Sequence, residues 1–355
     1  MLSKERVRRA FRHEEPDRVP IDYMANPGID RGLKAHFGLA PNDNEGLRRL
    51  LHVDFRDLRI PYTGSELHAP VPDRRIDMWG IRTRWVEHDS GGYWDYCDFP
   101  LAEADLETVQ NWPMPSPDDF DYQAVADEAR RLAEFSIVIG DPGFADMINT
   151  NGMIRTMEQT LVDLMTDEPA GLCFIDRRIG IQLEMLRRTF EAAPGLIDLL
   201  WLGEDLGTQI GPMISPALYA KHFRPRHQLF VDLAHRFDVP VMFHSCGSSS
   251  WVFDQLIDMG IEVVDTLQPE AKNMQPRYLK SNFGDRLSFH GCISTAGPVT
   301  YGTPDEVTAN VEDVLSVMKP GGGFAIAPTH WLQDNSPVEN VVAMYEAATA
   351  FGSYD

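Results

Sequence analysis

The chain has 355 residues, 43% of them hydrophobic, and a formal net charge of −22. That length suits a single α/β barrel with an insertion, and the acidity argues against a nucleic-acid surface: phosphate is repelled, and the densest basic run, RVRRAFR at 6–12, is short. No apolar run approaches the ~18 residues of a membrane span, the N-terminus MLSKERVRRAF is too polar for a signal peptide, and four cysteines are too few for a disulfide scaffold, so a soluble cytoplasmic protein with free thiols is expected.

In chain order, the spacing of Val7, Ala10 and Phe11 predicts a first helix from about residue 4 to 13. RVPIDY, 18–23, reads as a strand. Helices follow toward Phe37 and near Glu45 to Leu51. The stretch 55–115 is rich in Pro, Gly, Trp and Tyr with pieces of alternating polarity such as IRTRWVEH, and it reads as an excursion of short strands or hairpins inserted into one domain spanning 1–355. From FSIVIGDPG onward the rhythm is regular. LIDLLWLGEDLG, VPVMFHSCG, IEVVDTLQP, RLSFHGCIS and GGFAIAPTH each read as a buried strand ending in polar residues, and helical segments lie between them. Strand, loop and helix repeated about eight times imply a parallel sheet covered on both faces. That repeat favours a closed (β/α)8 TIM barrel, and no GxGxxG follows the first strand to suggest a dinucleotide fold.

In such a barrel, functional side chains come from the C-terminal ends of strands. Polar residues gather at those ends here: Asp22, Asp141, Glu204 and Asp205, then His244, Cys246 and Asp265, then Gln268, His290, Cys292 and His330. In VPVMFHSCG, His244 and Cys246 are two apart, so they project to the same side of an extended segment, and Gly247 permits the backbone to turn. Imidazole and thiolate are zinc ligands. Cys292 and His330, on later strand ends, are the available partners, and the choice between them stays open. The competing reading makes Cys246 and Cys292 small buried hydrophobes. Glu204 and Asp205 in GEDLGTQ suit proton transfer or orientation of a metal ligand. Tyr23, Asp141, Gln209 and Gln268 are candidates to line a substrate pocket.

With these residues in place, the chain resembles the uroporphyrinogen decarboxylase superfamily over nearly its whole length. The likeness is carried by the RVP strand, GEDLGTQIGPMISPALYAKHFRPRH, FHSCGS, FGDRLSFHG, GTPDEV and GGGFAIAPTH. The resemblance implies a (β/α)8 barrel with its pocket at the strand C-termini, and one of two chemistries. Cofactor-free decarboxylases of the superfamily grip substrate carboxylates with an arginine-rich RQAGR stretch; this chain has YMANPGIDRG there, with Arg31 alone nearby. The other branch uses zinc to move a methyl group from a methyl-corrinoid protein to a thiol such as coenzyme M, with an HxC motif and a distant third ligand. His244 and Cys246 match that motif, with Cys292 as third ligand and His330 as its alternative or a fourth. The resemblance therefore implies a zinc-dependent methyltransferase acting between a corrinoid protein and a thiol or methylated small molecule. The size of the chain suits a homodimer, and Glu204, Asp205 and His330 are the catalytic candidates by their strand-end positions. A cofactor-free decarboxylase and a non-catalytic binding barrel are the alternatives.

Overall fold

A computed structural model describes residues 1–88 and 91–354. Seven parallel strands form the main sheet: β1 (Phe55–Leu58), β5 (Ser136–Gly140), β6 (Leu199–Gly203), β7 (Val241–His244), β8 (Val263–Thr266), β9 (Ser288–Ile293) and β10 (Phe324–Pro328), hydrogen-bonded in that order. The extended segment 19–25 takes the eighth place. It pairs in parallel with β10 through Ile21 and Ile326, with Ile326 N donating to Pro20 O at 2.9 Å and Asp22 N to Ile326 O at 3.0 Å. On its other side Asp54 N, just before β1, donates to Ile21 O at 2.8 Å. The ring is thus closed, as the strand–helix rhythm predicts.

Alternation along each strand separates two cores. Val138, Leu199, Trp201, Met242 and Val263 fill the lower barrel interior, where Val7 of the first helix (Ser3–Ala10) plugs the bottom. Ile137, Leu200, Val241, Phe243, Val264 and Phe289 point the other way, into the layer between strands and helices. The interior is therefore apolar below and polar only at the strand C-termini, which confines chemistry to that mouth.

The excursion begins later than the sequence suggests. Phe55–Leu58 is a barrel strand, in register with Ser136–Ile139 of β5. Its sequence FRDL reads as polar because Arg56, only 1% exposed, lies in the outer layer. There its Nε and Nη2 donate to Glu45 at 2.8 and 3.0 Å, and its guanidinium lies 3.6 Å from the Phe135 ring centroid. Beyond it, β2 (Arg75–Ile76), β3 (Arg82–His88) and β4 (Gly91–Tyr96) form an antiparallel three-stranded sheet. That sheet joins the barrel through a small apolar cluster including Trp79, Ile81, Leu101 and Phe174. The helical segment between β6 and β7 is interrupted by a π-turn at Tyr219–Phe223 ahead of Pro225, which supplies no N–H to the helical ladder. Among the described residues, no helix is long and apolar enough to cross a membrane.

Candidate metal centre

The register of the last strands sets the site. His244 of β7 lies opposite Asp265 of β8, and Asp265 opposite His290 of β9, so three titratable side chains form one row across the mouth. His244 Nδ1 donates to Asp265 Oδ2 at 2.7 Å. The other oxygen, Oδ1, accepts from His290 Nδ1 at 2.6 Å, and His290 Nε2 donates to Asp22 Oδ2 at 3.0 Å. A chain of alternating imidazoles and carboxylates thus crosses the barrel from β7 to segment 19–25. Burial disfavours charge on His290, but its bonds to Asp22 and Asp265 outweigh burial and lift it to about 10. Burial likewise raises Asp265, and the bonds from His244 and His290 pull it well below the usual carboxylate range. The row is therefore charged and internally paired.

Asp265 occupies His244 Nδ1, so the free ligand atom is Nε2. It stands 3.4 Å from Cys246 Sγ and 3.6 Å from Asp205 Oδ1. Asp205, His244 and Cys246 together offer three ligand atoms within 4.8 Å of one another. Zinc bonds of ~2.0 Å to nitrogen and oxygen and ~2.3 Å to sulfur put tetrahedral ligands ~3.3–3.5 Å apart. The two observed separations from Nε2 fit that spacing, and the nitrogen, sulfur and carboxylate donor set suits a borderline-soft cation. Burial opposes protonation of His244, yet the Cys246 sulfur and Asp265 raise its affinity for a proton well above normal; the position attracts positive charge.

The surrounding backbone holds these groups tightly. Asp205 Oδ1 accepts from Cys246 N at 2.9 Å, and its Oδ2 from Asn149 Nδ2 at 2.8 Å. Gly247 has φ +68, and a Cβ there would meet Gly207 O at 2.4 Å. Only glycine permits the loops after β6 and β7 to lie so close. Thr266, whose hydroxyl lies 2.7 Å from His244 Nδ1, and Leu267 both have positive φ (85 and 54), strained conformations for residues other than glycine.

The model of the uroporphyrinogen decarboxylase family matches residues 146–351, more than half of the chain and all of β6 to β10. The chain belongs to the uroporphyrinogen decarboxylase family. No curated protein matches it by sequence. Among solved structures, a methyltransferase from Methanosarcina mazei aligns over 99% of both chains with a TM-score of 0.67 at 17% identity. At that identity the likeness concerns the fold. An endo-1,4-beta-xylanase from Penicillium canescens aligns at a TM-score of 0.35 and 10% identity, over 70% of this chain and 98% of its own, too distant to bear on function.

Within this family fold, the residues singled out from sequence have separate fates. His244, Cys246 and Asp205 converge. Cys292, expected as a metal ligand, does not join them: it is 1% exposed, packs in the outer apolar layer, and burial raises its thiol pKa far above normal. Left-handed conformations at Gly291 (φ 122) and Cys292 (φ 73) break the alternation that would have kept it on the side of His290. His330, the other candidate, is exposed on the loop after β10, with its ring nitrogen near Gln333 Nε2 at 3.3 Å.

Glu204, expected in catalysis, is fully buried and faces away from the mouth. Its carboxylate accepts from Met147 N at 2.8 Å and Ile148 N at 3.1 Å. Burial, then the charge of Asp146, pushes its pKa well up. By fixing that loop it places Asn149 against Asp205, a positioning effect. Tyr23 turns into the outer layer and donates from its hydroxyl to Asp30 at 3.1 Å. Gln209 and Gln268 bond each other at 3.2 Å on the rim. Asp141 accepts from Gly143 N at 2.8 Å in a neighbouring cavity. Asp265 and His290 were visible as strand-end residues without an assigned role. Asn149 and Thr266 carried no sequence signal, since their positions depend on loop conformation.

Proposed function

We propose that this chain is a zinc-dependent methyltransferase that moves a methyl group between a corrinoid protein and a thiol or methylated small molecule. The observation that carries the reading is the triad Asp205, His244 and Cys246, whose ligand atoms lie within 4.8 Å of one another in the mouth of a barrel of this family. These three residues would hold the zinc, with Asp205 in the place expected of Cys292 or His330 and a fourth position open to substrate. Zinc bound there supplies one thing, a substrate thiol kept deprotonated at neutral pH.

The remaining work belongs to the chain's own residues. Asp265 accepts the Nδ1 proton of His244 and so fixes the tautomer that presents Nε2. His290 and Asp22 brace Asp265 from behind. Asn149 and the Cys246 amide orient Asp205. Gln209 and Gln268 present amides at the rim to an entering polar substrate. Ile210, Tyr301 and Trp331 expose apolar surface from loops after β6, β9 and β10, a collar suited to a docked corrinoid protein. In the transfer, the thiolate's electron pair forms the new sulfur–carbon bond. The methyl-corrinoid, as the partner's substrate, would keep the electron pair of the bond that breaks.

The test is elemental analysis of purified protein together with methyl transfer from methylcobalamin to 2-mercaptoethanesulfonate. About one zinc per chain is expected, with activity lost on chelation and restored by zinc. Protein that neither holds zinc nor can be loaded with it overturns the reading; carbon dioxide release from carboxylic acids would then test decarboxylation.

A further inference from the structure

A second cavity, of about 670 Å³, opens between the three-stranded sheet and the helix Pro169–Ala192; Arg59, Arg75, Trp79, Tyr96, Asp141 and Arg178 are among its walls. Arg178 stands apart from the other buried arginines. Arg6, Arg56, Arg155 and Arg178 are all nine-tenths or more buried. Arg6 is paired with Asp17 and Asp54, Arg56 with Glu45, and Arg155 with Asp163. Arg178, 7% exposed, leaves Nε and Nη1 without any hydrogen-bond partner among the described residues. Its guanidinium lies only over the Trp79 ring, 5.0 Å from the centroid.

Three carboxylates act on Arg178 at longer range: Asp146, Asp77 and Asp141. Each is turned toward backbone amides instead. Asp77 Oδ1 accepts from Trp79 N at 2.9 Å and Ile81 N at 2.8 Å. Asp141 Oδ1 accepts from Gly143 N, and Asp146 Oδ1 from Thr150 N at 2.6 Å. A buried guanidinium without a partner is costly, of the order of several kcal/mol, and burial lowers its proton affinity. A planar oxyanion could take two parallel charge-assisted bonds from one edge of the guanidinium fork, Nη2 with either Nε or Nη1.

We propose that this cavity is the anion subsite of the substrate, where Arg178, with Arg59 and Arg75 on the walls beside it, receives a carboxylate or sulfonate. A singly charged group fits better than a phosphate dianion, because the three aspartates nearby repel added negative charge. The cavity adjoins the metal centre through one turn of backbone. Thr150 lines it, Thr150 N bonds Asp146, and the intervening Asn149 donates to Asp205. The inference deepens the methyl-transfer reading and rests on it only for the identity of the reacting end.

The experiment is calorimetric titration of zinc-loaded protein with 3-mercaptopropionate, with its neutral analogue 3-mercaptopropanol, and with thiol-free butyrate. The acid is expected to bind at least about tenfold tighter than the alcohol. In Arg178→Gln that preference should fall to within about twofold while the alcohol's affinity stays unchanged. If Arg178→Gln melts well below wild type, the exposed Arg59→Gln serves instead, with an expected loss of about two- to fourfold for the acid alone. Equal binding of acid and alcohol by wild type, or an undiminished preference in folded Arg178→Gln, overturns the subsite. If the thiols are neither bound at the metal centre nor methylated while butyrate still binds in an Arg178-dependent way, the subsite stands and the methyl-transfer reading falls.

Discussion

The ends of β7 and β9 carry the same tetrapeptide pattern, Phe-His-x-Cys, and use it in opposite ways. At β7, FHSC delivers both His244 and Cys246 to the mouth. At β9, FHGC leaves His290 buried between two carboxylates and sends Cys292 into the apolar layer. The two differ in backbone. Strand β7 ends at His244, and Cys246 lies in the loop clasped against Gly207. Strand β9 runs on to Ile293 through two left-handed residues. In this chain the His-x-Cys letters bring both side chains to the mouth only where the strand stops at the histidine; where it continues, the same letters supply a brace and a core residue.

The sharpest way to break this comparison is to exchange sulfur for oxygen at both places. Cys246→Ser should lose zinc affinity by more than about 100-fold, beyond what an outer partner costs, and methyl transfer with it, while its melting temperature stays close to wild type. Cys292→Ser should do the reverse, keeping zinc but losing about 1–3 kcal/mol of stability by burying a hydroxyl in an apolar layer. Metal content and denaturant melts of the two variants read both effects, and zinc loss in Cys292→Ser at unchanged stability would return that cysteine to the metal site. Gly291→Ala probes the cause. With φ at +122 and Thr266 O 2.3 Å from any Cβ, it should cost about 2–3 kcal/mol, visible as a lowered urea midpoint.

A smaller effect is expected one step from the ligands. Asp265→Asn keeps an acceptor for His244 Nδ1 but removes the charge, and should weaken zinc binding about 10- to 100-fold in competition with a chromophoric chelator. At the far end of the row, burial and then Asp22 raise Asp57 from the usual carboxylate range to about 7. The folded protein thus keeps a proton that the unfolded chain releases. That stabilisation is fully present below the unfolded pKa of about 4 and is lost as pH rises through about 7. Asp57→Asn should flatten this decline, melting roughly 2 °C above wild type at pH 8 and converging with it toward pH 4.5. Parallel melting curves across that range would show that Asp57 holds its proton no more tightly in the folded chain than in the unfolded one.

The barrel was legible because its strands from Ser136 onward are short apolar runs bounded by Gly, Pro and polar ends, each followed by a helical pattern. β1 was missed because Arg56 and Asp57 made a buried strand look like a loop; the partners that neutralise Arg56 lie on another helix and ring. The same limit governs the metal centre. His244 and Cys246 could be paired from sequence because two residues of extended chain fix their direction. Asp205 was noticed as acidic but given another task, since its approach to Cys246 depends on the clasp between two loops. Cys292 was expected beside His244 and Cys246 but lies in the outer layer, because two residues with positive φ undo strict alternation. Arg178 gave no signal at all: an arginine inside a long helix reads as solvated surface until the packed structure shows it enclosed.

The bond between His290 and Asp22 spans 268 residues of sequence, and segment 19–25 lies in a groove whose walls are β10 and β1. Non-local pairing of this kind is slow to form, because loop-closure entropy must be overcome first. The brace behind His244 is thus incomplete until the final strand is made and the first is captured, so a chain emerging from the ribosome has its His-x-Cys pair long before it has the geometry around it. If zinc binds as proposed, its tight uptake reports on ring closure and should lag behind the gain of helical signal during refolding.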